Sequence, residues 1–457
     1  MVIDSANNLL STLFSTPEMD RVFSDAEQVQ QMLRFEWALS AALEGCGLAP
    51  PESSAPILEL LAGPFLTSER ATILRSAAGA AGNIAIPFVK LLTATVAERH
   101  PDSASFIHTG ATSQDVLDTA LVLQIRDGMG LLQGDLHATV DRCVDLAREH
   151  SGTILAGRTW LQQGPPVTLG LKFAGYAAAL SRHQQRLHDA LARAVVLQFG
   201  GAVGTLASLR GNGLKVSAAL AKHLDLPESP LPWHAHRDNF AEVAAVLGLL
   251  TGTLGKMARD ISLAMQTEVG ELFEPDGEGR GGSSTMPHKR NPVGCAVVLA
   301  AAQRVPPLVA TMLAAMPQEH ERGLGGWHAE WQALPEIFRL AAGALSQMRQ
   351  VVAGLEVDAA RMTANLNLMH GLVLAESVGA ALAEFTGRMA AHKIMEEASR
   401  RAIDERRSLE SVLTEMPAVT EHLSLERLHQ LLDPSDYLGS TAQMIARTLK
   451  SLERTGG

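Results

Sequence analysis

The stretch FAEVAAVLGLLTGTLGKMARDISLA, residues 240–264, decides how the rest of the chain is read. Its residues Val243, Leu247, Leu250, Leu254, Met257, Ile261 and Ala264 are separated by alternating steps of four and three. That spacing is an a/d seam, which keeps one face of a helix apolar over many turns and buries it along a second helix. The pattern predicts a helix over 240–272, roughly 50 Å long at 1.5 Å per residue. A helix longer than a small domain needs partners of similar length. An extended all-α bundle follows, with packing between subunits as well as within one.

The composition agrees. Of 457 residues, 46% are hydrophobic but only 4% aromatic. Ala, Leu, Met, Gln, Glu and Arg favour helix, and the β-branched and aromatic runs that favour strands are scarce. Proline is absent from 102–164, 167–226, 233–274 and 336–416, and long proline-free stretches permit long helices. One helix is expected to begin at TSQD, with Thr112 or Ser113 as N-cap and Asp115 in the first turn. Another follows GPPVT, with Pro166 near its first turn, and runs to about Phe199. A fourth starts after Pro292 and is kinked at Pro306–Pro307, and a fifth covers about 335–356. The expected division is an N-terminal helical domain 1–110, a central long-helix bundle 111–365 and a C-terminal helical domain 366–457.

The formal net charge of -11 argues against a general nucleic-acid binder, because phosphate contacts need a basic surface. It leaves room for an anionic substrate held by a few local cations. Cys46, Cys143 and Cys295 lie far apart with no CxxC spacing, which reads as reduced thiols. The start, MVIDSANNLLSTLF, lacks a basic n-region and a long apolar h-region. No run reaches about 18 apolar residues without a charge. A cytoplasmic protein without membrane spans is the expectation.

Three polar islands interrupt the helical pattern: IHTGATSQDVLDTAL (107–121), GRTWLQQGPPVTLG (157–170) and GRGGSSTMPHKRNPVG (279–294). Each sets hydroxyl or amide residues beside Gly or Pro at the mouth of a long helix, where free N–H groups attract anions. Together they suit a carboxylate-rich small molecule. No HExxH, GK[ST] or other metal or nucleotide signature is present, and no metal or cofactor is expected.

The string GSSTMPHKRNP (282–292) resembles the signature loop of the fumarase/aspartase superfamily, and the other two islands resemble its other two signature regions in the same order. The resemblance implies a cofactor-free homotetramer in which each active site takes one island from each of three subunits. The implied chemistry is proton transfer at a carbon α to a carboxylate, coupled to loss or addition of a β substituent. It points to Ser283 as the base and to Lys289 and Asn291 as holders of the carboxylate that gains charge. Thr112, Ser113, Thr159 and Gln162 match substrate-holding positions. The residues suit these roles: nearby cations and N–H donors lower a serine pKa, and a lysine facing a developing charge stabilises the transition state.

Two departures matter. Lyases of the superfamily have a histidine where this chain has Trp160, and a glutamate paired with it where this chain has Ala296. AGNIAIPF (81–88) also lacks the histidine that adenylosuccinate lyases carry there. Losing a general acid is tolerable only when the leaving group needs no proton. A carboxylate, with a conjugate acid near pKa ~4, is such a group, and when it belongs to the same molecule the product is a lactone. The chain accordingly resembles the carboxymuconate cycloisomerase branch, through AGNIAIPFVKLL, HTGATSQD, GRTWLQ and MPQEHERGLGGWHAEW (316–331). A substrate with three carboxylates needs several donors. His108, Lys289, Arg290, His320 and Arg322 are candidates, with Trp160 as a pocket wall. Arg290 is the weakest of these, and Ser284 is the alternative base. A C–N lyase of the adenylosuccinate type is the alternative function.

Overall fold

The computed structural model describes residues 9–277, 281–282, 285–286 and 288–453. It is 68% helical, so the all-α expectation holds. Five long helices dominate: α1 (Ser113–Glu149), α2 (Leu169–Ala194), α3 (Asp238–Ala264), α4 (Val293–Ala314) and α5 (Gly326–Ala353). Among the described residues four short strands make two antiparallel pairs, β1 (Ile154–Thr159) with β2 (Gln162–Thr168), and β3 (Leu272–Phe273) with β4 (Glu356–Val357).

The seam that opened the reading is buried as predicted. Val243, Leu247, Leu250, Leu254 and Met257 are fully buried and Ile261 nearly so. The helix is shorter than its pattern, ending at Ala264 rather than near 272. A larger difference lies at GPPVT. Pro166 is not in a first turn; it pairs with Ala156 in the β1–β2 hairpin, and α2 begins at Leu169 and ends at Ala194. The bulge at Gly157 makes room for the prolines: a Cβ there would lie 2.6 Å from the Pro165 carbonyl oxygen. The fifth helix starts at Gly326, with Pro335 inside it. Pro306 and Pro307 likewise lie inside α4. By length and composition, α3 and α4 are apolar enough to cross a membrane, which the sequence reading did not anticipate.

The chain divides into two compact units. The first comprises 1–136, 183–255 and 297–347, and the second 137–182, 256–296 and 348–457. In the first, helix Asp25–Gly45 packs on helix Gly213–Leu224, with Trp37 edge-on to His223. In the second, the β1–β2 hairpin packs on helix Ala359–Leu366. Farther along, Val378, Leu382, Ala398, Leu409, Val412 and Leu428 form a separate core. None of the three cysteines is in a disulfide, and burial pushes the Cys143 thiol up to about 12.

Candidate active site

The first island builds a cluster in the first unit. Helix α1 starts at Ser113 with Thr112 before it, and the Asp115 carboxylate accepts the Thr112 backbone N–H at 3.0 Å. This is the backward half of a capping box. The Thr112 hydroxyl does not close the other half; it accepts from Arg322 Nη1 at 3.2 Å. Arg322 also donates to the carbonyls of Gly201 and Ala202, at 3.4 and 2.8 Å.

Asp115 is fully buried and gathers the surrounding loops. Besides Thr112 it accepts the N–H groups of Gly200 and Gly201 at 3.0 and 2.9 Å, and its Oδ1 lies 2.7 Å from His234 Nε2. Only glycine fits at Gly201: its φ is +69°, and a Cβ would lie 2.8 Å from the Gly110 carbonyl oxygen. Beneath this cluster Arg237 bridges Asp118 and Glu330, with both carboxylates and the guanidinium buried. Trp327 Nε1 also donates to Asp118, at 3.0 Å.

His108 sits in the left-handed region, φ 61°. Its Nδ1 lies 2.7 Å from Oε1 of the buried Glu36, and its backbone N–H donates to Oε2 at 3.0 Å. Burial pulls the His108 pKa down, but the Glu36 carboxylate, by charge and hydrogen bond, and Asp115 more than offset it, so the net shift is upward. His320, also left-handed at φ 49°, is exposed in the same turn as Arg322. The first unit thus joins Thr112 directly to Arg322, while Ser113 stands half-buried at the helix start.

The second and third islands lie in the second unit. Thr159 and Gln162 face each other across the end of the hairpin. Between them Trp160 and Leu161 both have positive φ, 53° and 64°, and are 98% and 76% exposed. Two-residue hairpin turns with both φ values positive favour Asn-Gly, and bulky residues there carry backbone strain. Trp160 also lines a cavity of about 430 Å³, beside Arg158, Lys172, Tyr176 and Asp260. Glu271 holds Arg158 bidentately at 2.8 and 2.6 Å, whereas burial pulls the Lys172 pKa down.

Of the signature loop, Ser283 and Ser284 lie outside the described residues. Lys289 is exposed. Asn291 donates from both its backbone N–H and Nδ2 to the Gly281 carbonyl, each at 2.9 Å. Arg290 belongs to the fold rather than to a free cationic patch: it is ion-paired with Glu356 at 2.7 Å. Ala296 is exposed in the first turn of α4.

Sequence reasoning did not find Glu36, Glu356, His234 or the Gly200–Gly201 loop. The paired glycines in QFGGAVGT were the one local signal, since adjacent glycines mark a close backbone approach.

The five long helices and the three signature regions of the sequence are those of a lyase of the fumarase/aspartase type. Residues 15–306 match the family described as lyase, and residues 371–448 match the adenylosuccinate lyase C-terminus. The chain belongs to this lyase family. It is 52% identical to the 3-carboxy-cis,cis-muconate cycloisomerase of Pseudomonas aeruginosa, over 97% of this chain and 96% of that one. It is 45% identical to the enzyme of the same name from Acinetobacter baylyi, over 97% and 98%. The crystal structure of the 3-carboxy-cis,cis-muconate lactonizing enzyme from Pseudomonas putida superposes with a TM-score of 0.93 at 48% identity, covering 99% of this chain and all of that one.

Proposed function

We propose that this protein is a 3-carboxy-cis,cis-muconate cycloisomerase, an intramolecular lyase of aromatic catabolism that interconverts a tricarboxylic muconate and its carboxymuconolactone. The observation that carries the reading is Trp160 at the turn where the lyases keep a histidine, in a chain that retains Ser283, Lys289 and Asn291. A distal carboxylate oxygen adds to the carbon bearing the 3-carboxyl group, and Ser283 delivers a proton to the neighbouring carbon. In the opening direction Ser283 takes that proton and the carboxylate leaves without needing one. Lys289 and Asn291 hold the carboxylate whose charge grows. His108, Thr112, Ser113, Thr159, Gln162, His320 and Arg322 hold the remaining carboxylates, with Trp160 as an apolar wall.

The chain assembles as a homotetramer in this reading, its central bundle being 111–365, with each site drawing on three subunits. Two features support that assembly. Trp160 is almost fully exposed and Leu161 largely so, and only 28% of the apolar window of α4 is buried within the chain.

Purified protein is mixed with 3-carboxy-cis,cis-muconate and the diene absorbance followed. It is expected to fall. Adenylosuccinate is expected to release no AMP, and AMP release with a constant diene signal would replace this reading with that of a C–N lyase.

A further inference from the structure

We infer that Arg290 and Glu356 form a positioning pair that ties the two stems of the signature loop together and sets Lys289 and Asn291 for the reaction proposed above. The inference rests on that reading for its catalytic consequence only.

Both Nη atoms of the Arg290 guanidinium already have partners in the protein. Nη1 donates to Glu356 Oε2 at 2.8 Å and Nη2 to Oε1 at 2.7 Å. Nη2 also donates to the Glu274 carbonyl at 2.6 Å, and the guanidinium stands over the Phe273 ring, 5.0 Å from its centroid. A two-pronged Arg–carboxylate pair fixes orientation as well as distance, so a substrate carboxylate could take this face only by displacing Glu356.

Glu356 also reaches the stem that enters the loop, accepting the Asp276 backbone N–H at 3.3 Å. One carboxylate therefore holds the chain as it leaves, at Asp276, and as it returns, at Arg290. The ties above and below this point are of the same kind. Above it, the Gly281 carbonyl receives both Asn291 donors, and a Cβ on Gly281 would lie 2.7 Å from the Asn291 carbonyl oxygen. Below it, the buried Glu274 carboxylate accepts the N–H groups of Gly294 and Cys295, at 3.0 and 2.7 Å, at the start of α4. Glu356 is itself anchored, since it pairs with Phe273 in the β3–β4 ladder. Lys289 and Asn291 flank Arg290, which a forked ion pair clamps, and their placement follows from it.

The side chains of Arg290 and Glu356 are 32% and 47% exposed, and an ion pair of that exposure contributes little to global stability. Its removal disturbs the loop without unfolding the protein. R290Q, E356Q, R290Q/E356Q, R290K and the exchange R290E/E356R are compared with wild type in turnover of 3-carboxy-cis,cis-muconate. R290Q and E356Q are each expected to lower kcat by about tenfold to a hundredfold, as removal of an orienting partner does, with melting temperature unchanged. The double variant should be no worse than either single, because both remove the same tie. R290K should fall between, and the exchange should recover part of the loss. If R290Q falls while E356Q stays at wild type, Arg290 meets the substrate itself and the inference is wrong. It is equally wrong if neither falls. Protease cleavage within 277–291 without substrate is expected to be faster in R290Q and E356Q. Equal rates defeat the tie whatever the substrate proves to be, whereas an inactive wild type with faster cleavage in both variants defeats only the assigned reaction.

Discussion

Glu36 holds His108 at two points: Oε1 lies 2.7 Å from Nδ1, and Oε2 accepts the backbone N–H at 3.0 Å. Burial alone would lower the His108 pKa below its ordinary 6.5, but the Glu36 charge and hydrogen bond and the Asp115 charge carry it above. A raised folded-state pKa means the protonated form is stabilised by folding. That stabilisation is complete below the unfolded value and is lost as pH rises through the folded one. In the role proposed for His108, the cation it offers to a substrate carboxylate follows the same course, so kcat/KM should decline on the alkaline side as His108 loses its proton. E36Q removes the largest upward cause and should move that decline to lower pH. An unmoved alkaline limb in E36Q would show that His108 does not govern it.

Arg322 links Thr112 to the carbonyls of Gly201 and Ala202. Lysine keeps the charge but cannot reach three acceptors with one fixed fork. R322K is expected to lower kcat/KM by about tenfold to a hundredfold, corresponding to one or two charge-assisted hydrogen bonds at about 1.5 kcal/mol each. Circular dichroism should be unchanged. Wild-type turnover in R322K would place Arg322 in the scaffold alone.

Periodicity revealed the elements whose burial is decided locally. The α3 seam was legible because each of its residues answers to one helix face, and Thr112 and Asp115 because capping is a local exchange of hydrogen bonds. The β1–β2 hairpin was not. Trp160-Leu161 carries no turn signal, and Pro165-Pro166 reads as a helix entry until a bulge at Gly157 is known to receive it. The Glu36–His108 and Glu356–Arg290 pairs were illegible for another reason. Their members lie 72 and 66 positions apart, and in sequence neither the buried Glu36 nor the exposed Glu356 differs from any solvated glutamate. Arg290 was under-read in the same way, its partner being the first residue of the remote two-residue strand β4.

The buried Arg237 predicts a stability effect. Desolvation pushes the Glu330 carboxyl up, and Arg237 opposes it. R237M leaves Asp118 and Glu330 facing each other without a cation. Breaking a buried ionic network in this way is expected to cost about 3–5 kcal/mol. Without Arg237 the Glu330 carboxyl pKa rises further in the folded state. The penalty should therefore shrink as pH falls and Glu330 takes up a proton. Urea unfolding at neutral and mildly acidic pH measures both effects, and a loss independent of pH would point to packing instead.

For the loop itself, S283A is expected to lower turnover by about 10²–10⁴-fold, the usual contribution of a positioned proton donor or acceptor, with the oligomer intact by light scattering. K289M should cost about 3–4 kcal/mol in kcat, as loss of a donor to a growing charge does. Wild-type-like turnover in S283A would move the proton to Ser284 or another group.

The turn at Trp160-Leu161 separates stability from function in one variant. Both residues hold positive φ, which costs on the order of 1 kcal/mol or more each for a bulky side chain, and both are exposed. Asn-Gly meets the same backbone without strain. W160N/L161G is therefore expected to raise the melting temperature while lowering turnover strongly, because the apolar wall and the subunit contact proposed for Trp160 are then gone. W160N alone isolates the wall. Differential scanning calorimetry and the diene assay read the two effects separately. If the double variant gains stability and keeps full turnover, the strained turn has no part in the reaction, and Trp160 is not what replaced the lyase histidine.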